Sequence, residues 1–225
     1  DFTGQAIVTD NCTNSSEVIV TQDPVAGTTL EGVGEYTITL TASDSSGNST
    51  SCTFTVELID DIFPEITCPD DIVVSTDPGV CEAEVQIDIP VTSDNCGVAS
   101  VVNNYTNIED ASGIYPEGTT TVIYTVTDES GNETTCSFTV TVEDNEAPEL
   151  TCPGDILRVS DADMCSYTFT GPAANATLVG DNCSPTGDIT FVNDFNGMST
   201  LVGASFPVGE TVVTWTATDT SGNSA

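Results

Sequence analysis

Four cysteine pairs in this chain share one spacing. Cys12 and Cys96, Cys52 and Cys136, Cys68 and Cys152, and Cys81 and Cys165 are each 84 residues apart. The words around them recur in the same order. Ser43-Asp44-Ser45-Ser46-Gly47-Asn48 returns as Thr127-Asp128-Glu129-Ser130-Gly131-Asn132 and again as Thr218-Asp219-Thr220-Ser221-Gly222-Asn223. Asp-Asn-Cys stands at 10–12, 94–96 and 181–183, and Pro64-Glu65-Ile66-Thr67-Cys68-Pro69 returns as Pro148-Glu149-Leu150-Thr151-Cys152-Pro153. Such self-similarity means one structural unit used several times. The phase predicts the C-terminal part of a repeat over 1–61, a complete repeat over 62–145, and a repeat lacking its last strand over 146–225. On that phase the odd cysteine, Cys183, has its partner just beyond Ala225.

Within a repeat the pattern is that of strands. Cys136, Phe138, Val140 and Val142 alternate with Ser137, Thr139 and Thr141, and a period of two with one apolar face marks a half-buried strand. Cys52, Phe54 and Val56 repeat the pattern. The preceding strand carries Val122, Tyr124 and Val126, and later Val213, Trp215 and Ala217. Ser-Gly-Asn between the two strands reads as a hairpin turn, because Gly and Asn tolerate positive φ. No stretch has a helical period with caps. About seven strands per repeat predict an all-β fold of tandem immunoglobulin-like antiparallel β-sandwich repeats.

Composition excludes several functions. Thirty-six Asp and Glu face a single basic residue, Arg158, with no His. Nothing neutralises phosphates, so nucleic acid is not a partner, and an anionic membrane repels such a surface. Direct membrane insertion is not expected either, for no apolar spanning run is present. Without His there is no Ser or Cys triad, and the chain reads as no enzyme. Nine cysteines without a CxxC pair point to disulfides in an oxidising, extracellular setting rather than to zinc. In a sandwich topology the expected bonds are Cys68–Cys81 and Cys96–Cys136, hence Cys12–Cys52 and Cys152–Cys165. Each would contribute roughly 3–4 kcal/mol by restricting the unfolded chain.

The order Asp-x-x-x-Pro before Cys-Pro, then Asp-Asn-Cys, then Tyr/Trp-x-x-x-Asp-x-Ser-Gly-Asn before a Cys resembles the HYR (hyalin repeat) domain, three times in phase. The resemblance implies an Ig-like sandwich of extracellular matrix and adhesion proteins. Long arrays of such repeats also occur in secreted surface proteins of bacteria, including gliding adhesins of the Bacteroidetes, which this acidic, Lys-free composition is similar to.

Sandwich geometry brings three acidic clusters to one end of a repeat. For the central repeat these are Asp60 and Asp61 of the linker, Asp94 and Asn95, and Asp128 with its turn. For the third they are Asp144, Asn145 and Glu146, with Asp181, Asn182 and Asp219. Asp10, Asn11 and Asp44 form the incomplete set of the first. Six to eight hard oxygens suit Ca²⁺, so calcium is the expected ion, stiffening the linkers with a logic like that of cadherins. The competing reading is turn chemistry alone, since Asp and Asn side chains bond nearby backbone amides.

Two functional readings follow. The repeats are spacers of a surface adhesin or filament, with neighbouring repeats of the same chain as partners. Alternatively they are glycan- or protein-binding modules, in which case Gly171–Ala176, Asn193–Gly203 and the divergent Phe191–Phe206 stretch are the places to look.

Overall fold

The computed structural model describes residues 1–225. The first repeat contributes β1 (Ile19–Asp23), β2 (Gly34–Ser43) and β3 (Ser49–Leu58). The central repeat contributes β4 (Glu65–Thr67), β5 (Ile72–Ser75), β6 (Glu82–Val85), β7 (Val91–Ser93), β8 (Val98–Asn103), β9 (Gly113–Pro116), β10 (Gly118–Asp128) and β11 (Glu133–Glu143). The third contributes β12 (Glu149–Thr151), β13 (Ser166–Thr168), β14 (Thr177–Gly180), β15 (Thr190–Asn193), β16 (Ser205–Pro207) and β17 (Trp215–Thr218). Two short 3-10 turns, Thr3–Gln5 and Pro172–Ala174, complete the elements. The fold is all-β and Ig-like, as the alternation predicts.

Contacts gather the chain into two compact units, one of residues 1–67, 90–102 and 124–136, the other of 68–89, 103–123 and 137–225. In the first, β1, β2 and β3 form an antiparallel sheet, and β4 pairs β7. Ile38 and Leu40 fill its inner face, and Tyr124 and Val126 of β10 are buried in the same unit. The β2–β3 hairpin is the predicted one: Ser43 faces Ser49, and Gly47 takes φ 88°, a left-handed conformation that Gly adopts at least cost.

In the second unit β6 pairs β9, β12 pairs β14, β13 pairs β16 and β15 pairs β17, all antiparallel. One pairing departs from the wholly antiparallel expectation: β5 runs parallel to β11, with Ile72 opposite Val140. Asp71 starts this edge by accepting the Thr139 N–H at 2.7 Å. Ala83, Val85, Tyr115, Val122, Phe138, Val140 and Val142 are buried in the central-repeat part. Trp215 anchors a cluster with Ala174, Ala176, Leu201 and Ala204, and Phe191 stacks on its ring at 5.0 Å.

Asn103 is a structural residue that strand periodicity does not reveal. Almost fully buried, it donates through Nδ2 to Thr106 Oγ1 and the Ile108 carbonyl, while Oδ1 accepts from the amides of Tyr105 and Thr106. Asn193 repeats this with Asn196, Met198 and Phe195. Each Asn replaces the backbone partners that a tight loop leaves unsatisfied.

The disulfides differ from the topological expectation. Cys81 bonds Cys183, 102 residues later, with Cα atoms 4.7 Å apart. Cys68 and Cys136 are also disulfide-bonded, whereas Cys12, Cys52, Cys96, Cys152 and Cys165 are free and exposed. None of Cys68–Cys81, Cys96–Cys136, Cys12–Cys52 and Cys152–Cys165 forms, and Cys183 is not orphaned. The cause is visible around β5. Cys68 precedes this strand and Cys81 follows it, and Cys81 comes to lie beside Cys183, within the roughly 4.4–6.8 Å between Cα atoms that a disulfide spans. The turn carrying Cys81 instead meets the Asp-Asn-Cys word of the third repeat, where Asn182 Nδ2 donates to Thr76 Oγ1 at 3.3 Å and to the Val80 carbonyl at 3.2 Å.

Candidate metal centre

Each acidic word builds a small turn, and the two words use the carboxylate differently: Asp-Asn-Cys holds one oxygen and leaves the other without a donor at Asp94 and Asp181, whereas Asp-x-Ser-Gly-Asn engages both. In Asp-Asn-Cys the Asp Oδ1 accepts two backbone amides. Asp94 takes those of Cys96 and Gly97, both at 2.8 Å. Asp181 takes Cys183 at 3.0 Å and Ser184 at 2.7 Å, and Asp10 takes Cys12 at 2.8 Å and Thr13 at 2.6 Å. In Asp-x-Ser-Gly-Asn the first residue accepts from the last. Asp128 Oδ1 takes the amides of Ser130 and Asn132, and its Oδ2 takes Asn132 Nδ2 at 2.7 Å. Asp219 with Asn223, and Asp44 with Asn48, repeat the arrangement.

The turns converge with the linkers. Asp60, Asp94 and Asp128 form one group in which one oxygen from each lies within 4.8 Å of the others, and Asp144, Asp181 and Asp219 form a second with the same limit. Ca²⁺ ligands at about 2.3–2.6 Å from one ion lie at most about 5 Å from each other, so each trio is compact enough to share a cation. Both trios lie within single compact units. Asp128, Asp144 and Asp219 are buried. Oδ2 of Asp60, Asp94, Asp144 and Asp181 is buried without a hydrogen-bond partner, as is Oδ1 of Asn182. Buried anionic oxygens without donors are costly, and three carboxylates so close repel one another by on the order of 3 kcal/mol per pair at an effective dielectric near 20. A divalent cation relieves both penalties, and the all-oxygen donor set fits a hard ion.

The electrostatics separate the turn role from the cluster role. At Asp128, burial pushes the pKa up, but the Asn132 side chain and the amides of Asn132, Ser130 and Gly131 hold it below the ordinary carboxylate value. The amides of Cys12 and Thr13 hold Asp10 below the ordinary carboxylate value, against desolvation and the like charge of Asp44.

Not every expected ligand joins. Asp61 is exposed and outside the trio. Asn95 turns its Nδ2 toward Asp60 Oδ1 at 3.3 Å, which makes it a donor to the cluster. Asn145 is exposed and bonds Ser75 Oγ at 2.9 Å. Glu146 accepts the Gly79 amide at 2.8 Å. Asn182 supplies the unpartnered oxygen beside Asp181. Two residues gain a role beyond the hairpin. Asn132 Nδ2 also reaches the carbonyls of Asp60 and Ile62 at 3.2 and 3.3 Å, and Asn223 Nδ2 reaches that of Asp144 at 3.0 Å. The invariable last Asn of the repeated word was the available signal.

The model of the HYR domain matches residues 3–58, 59–142 and 143–225. The chain belongs to the HYR domain family. Hyalin of Strongylocentrotus purpuratus is 34% identical over 202 residues, which cover 86% of this chain and 16% of that protein. Hyalin of Lytechinus variegatus is 32% identical over the same share of this chain, covering 35% of the relative. The sushi, von Willebrand factor type A, EGF and pentraxin domain-containing protein 1 of Rattus norvegicus is 38% identical over 143 residues, 60% of this chain and 4% of the relative. This HYR chain thus spans a minor part of the length of these relatives. Among solved structures, Drosophila N-cadherin EC1-4 matches 87% of this chain and 56% of that one at 15% identity and a TM-score of 0.37. As HYR repeats, these residues are an extracellular, adhesion-related module and not an enzyme. No helix is long and apolar enough to cross a membrane.

Proposed function

We propose that this HYR chain is a calcium-stiffened, disulfide-stapled spacer in the stalk of an extracellular adhesin or filament. Its folding units on this reading are the repeats 1–61, 62–145 and 146–225. The observation that carries the reading is the set of unpartnered, buried Asp oxygens in the two trios. Asp60, Asp94 and Asp128 hold one ion, and Asp144, Asp181 and Asp219 the other, with Asn182 as an added oxygen. In each trio one acid belongs to a linker and two to loops. Calcium therefore ties the linker to the loops, and a flexible connection becomes stiff. Such a stalk would serve cell-surface adhesion, gliding included, by holding a terminal ligand-binding part away from the surface.

The aromatic residues of the third repeat favour the spacer over a glycan- or protein-binding module. Phe191 packs on Trp215, and Phe195 stacks on Phe206 at 4.1 Å. Phe191, Phe206 and Trp215 belong to the apolar cluster of this repeat and serve the fold, while Phe195 is exposed at its edge.

The test is thermal melting of the 225-residue chain in millimolar calcium, in chelator, and in magnesium at equal ionic strength. Extracellular calcium modules bind at about 10⁻⁴–10⁻³ M, and a hundredfold excess over Kd stabilises by about 2.7 kcal/mol per site. A calcium-specific rise in Tm that disappears in Asp94→Asn with Asp181→Asn is expected. Equal Tm in calcium and chelator removes the ion from the reading and leaves turn chemistry.

A further inference from the structure

The Cys81–Cys183 bond closes a ring. The two cysteines lie 102 residues apart along the chain but 4.7 Å apart at Cα. Between them lie the strands from β6 to β14, which make up most of the central repeat and the opening of the third. We propose that this bond is a mechanical bypass: tension applied to the chain passes from residue 81 directly to residue 183, and the enclosed residues carry none of it. The value of such a bypass to the protein rests on the stalk reading above, since only a stalk is loaded end to end.

The argument is one of connectivity. A covalent cross-link fixes the largest separation of the residues it joins, whatever happens to the hydrogen bonds around it. An extended chain reaches about 3.3–3.6 Å per residue, so the ring hides ~350 Å of length. The cross-link also sits where the two repeats meet. Asn182, next to Cys183, bonds Thr76 and Val80, next to Cys81. Asp144 and Asp181 lie inside the ring, so two of the three acids of the second trio are outside the loaded path. Cys68–Cys81, the bond expected from topology, would enclose only twelve residues and hide ~45 Å.

Single-molecule pulling on the 225-residue chain through its two ends tests this. It is done in chelator, so that its outcome is independent of calcium. The chain is compared oxidised and after reduction by a dithiol. The dithiol becomes a cyclic disulfide and delivers two electrons and two protons to each bond, leaving the cysteine pair as thiols. The oxidised chain is expected to reach full extension ~350 Å short of the reduced chain. Oxidised Cys183→Ser is expected to extend further than the oxidised wild type. A shortfall below ~300 Å, or equal lengths for Cys183→Ser and wild type, overturns the proposal. If the shortfall appears but calcium has no effect on Tm, the bypass stands and the calcium reading falls.

Discussion

Asn223 holds a hairpin turn and a linker with one amide group. Its Nδ2 donates to Asp219 Oδ2 at 2.9 Å and to the Asp144 carbonyl at 3.0 Å, and Asn132 does the same for Asp128 and Asp60 in the central repeat. The side chain therefore sets the position of two of the three acids in each trio. Asn223→Ala is expected to lower stability by about 1–2 kcal/mol through its lost hydrogen bonds. It should also weaken calcium binding, read as a smaller calcium-induced shift of Tm. Unchanged calcium dependence would separate the turn from the site.

The two oxygens of Asp181 do different things, and this predicts a split between variants. Asp181→Asn retains an oxygen to accept the amides of Cys183 and Ser184 but removes a charge from the trio. In chelator it is expected to melt at or above the wild-type temperature, because repulsion falls, yet to gain little from calcium. Asp181→Ala loses the turn as well and is expected to melt lower, at a typical cost of about 1 kcal/mol for such a side-chain-to-backbone bond. Differential scanning calorimetry with and without calcium reads both effects.

Asn103 is buried with its amide group bonded on both sides. Asn103→Ala leaves several loop groups unsatisfied, and a loss of about 2–4 kcal/mol is expected in urea unfolding. A loss under about 1 kcal/mol would mean that water replaces the side chain.

Asp71 gives a pH signature. The Thr139 amide, then the Thr139 side chain, hold its pKa below the ordinary carboxylate value in the folded chain. A depressed carboxylate adds stability above its unfolded pKa, and that stability is lost as pH falls through the lower folded value. Asp71→Asn is therefore expected to melt below wild type at neutral pH, with the gap closing under acidic conditions below about pH 4. A gap that stays constant down to pH 2 would assign the loss to packing of the β5 edge.

The cysteines predict a labelling pattern. Without reductant, Cys12, Cys52, Cys96, Cys152 and Cys165 are free and exposed and are expected to react with an alkylating reagent. Cys81 and Cys183 are expected to react only after reduction. Peptide mass spectrometry reads each site, and label on unreduced Cys183 would contradict the bond.

The strands were legible in the sequence because burial on one face imposes a period of two, as Phe138, Val140 and Val142 show. The trios were legible because the words that hold Asp94, Asp128, Asp181 and Asp219 recur in order, and one fold brings recurring words to recurring places. Neighbouring residues in an extended linker diverge, so the sequence could not decide that Asp60 joins and Asp61 does not. Asn103 went unread although Val102-Asn103-Asn104-Tyr105 and Val192-Asn193-Asp194-Phe195 both carry it, because a single buried amide has no periodicity. The disulfides were misread because the expectation confined Cys81 to its own repeat. The turn after β5 directs it outward to the next one, a three-dimensional fact that spacing alone does not encode.

The same bond bears on survival outside the cell. A protease that cuts once anywhere between Cys81 and Cys183 opens the ring without severing the molecule, for the sulfur link still joins what lies before the cut to what lies after it. For nearly half of its length, this chain tolerates a nick and stays in one piece.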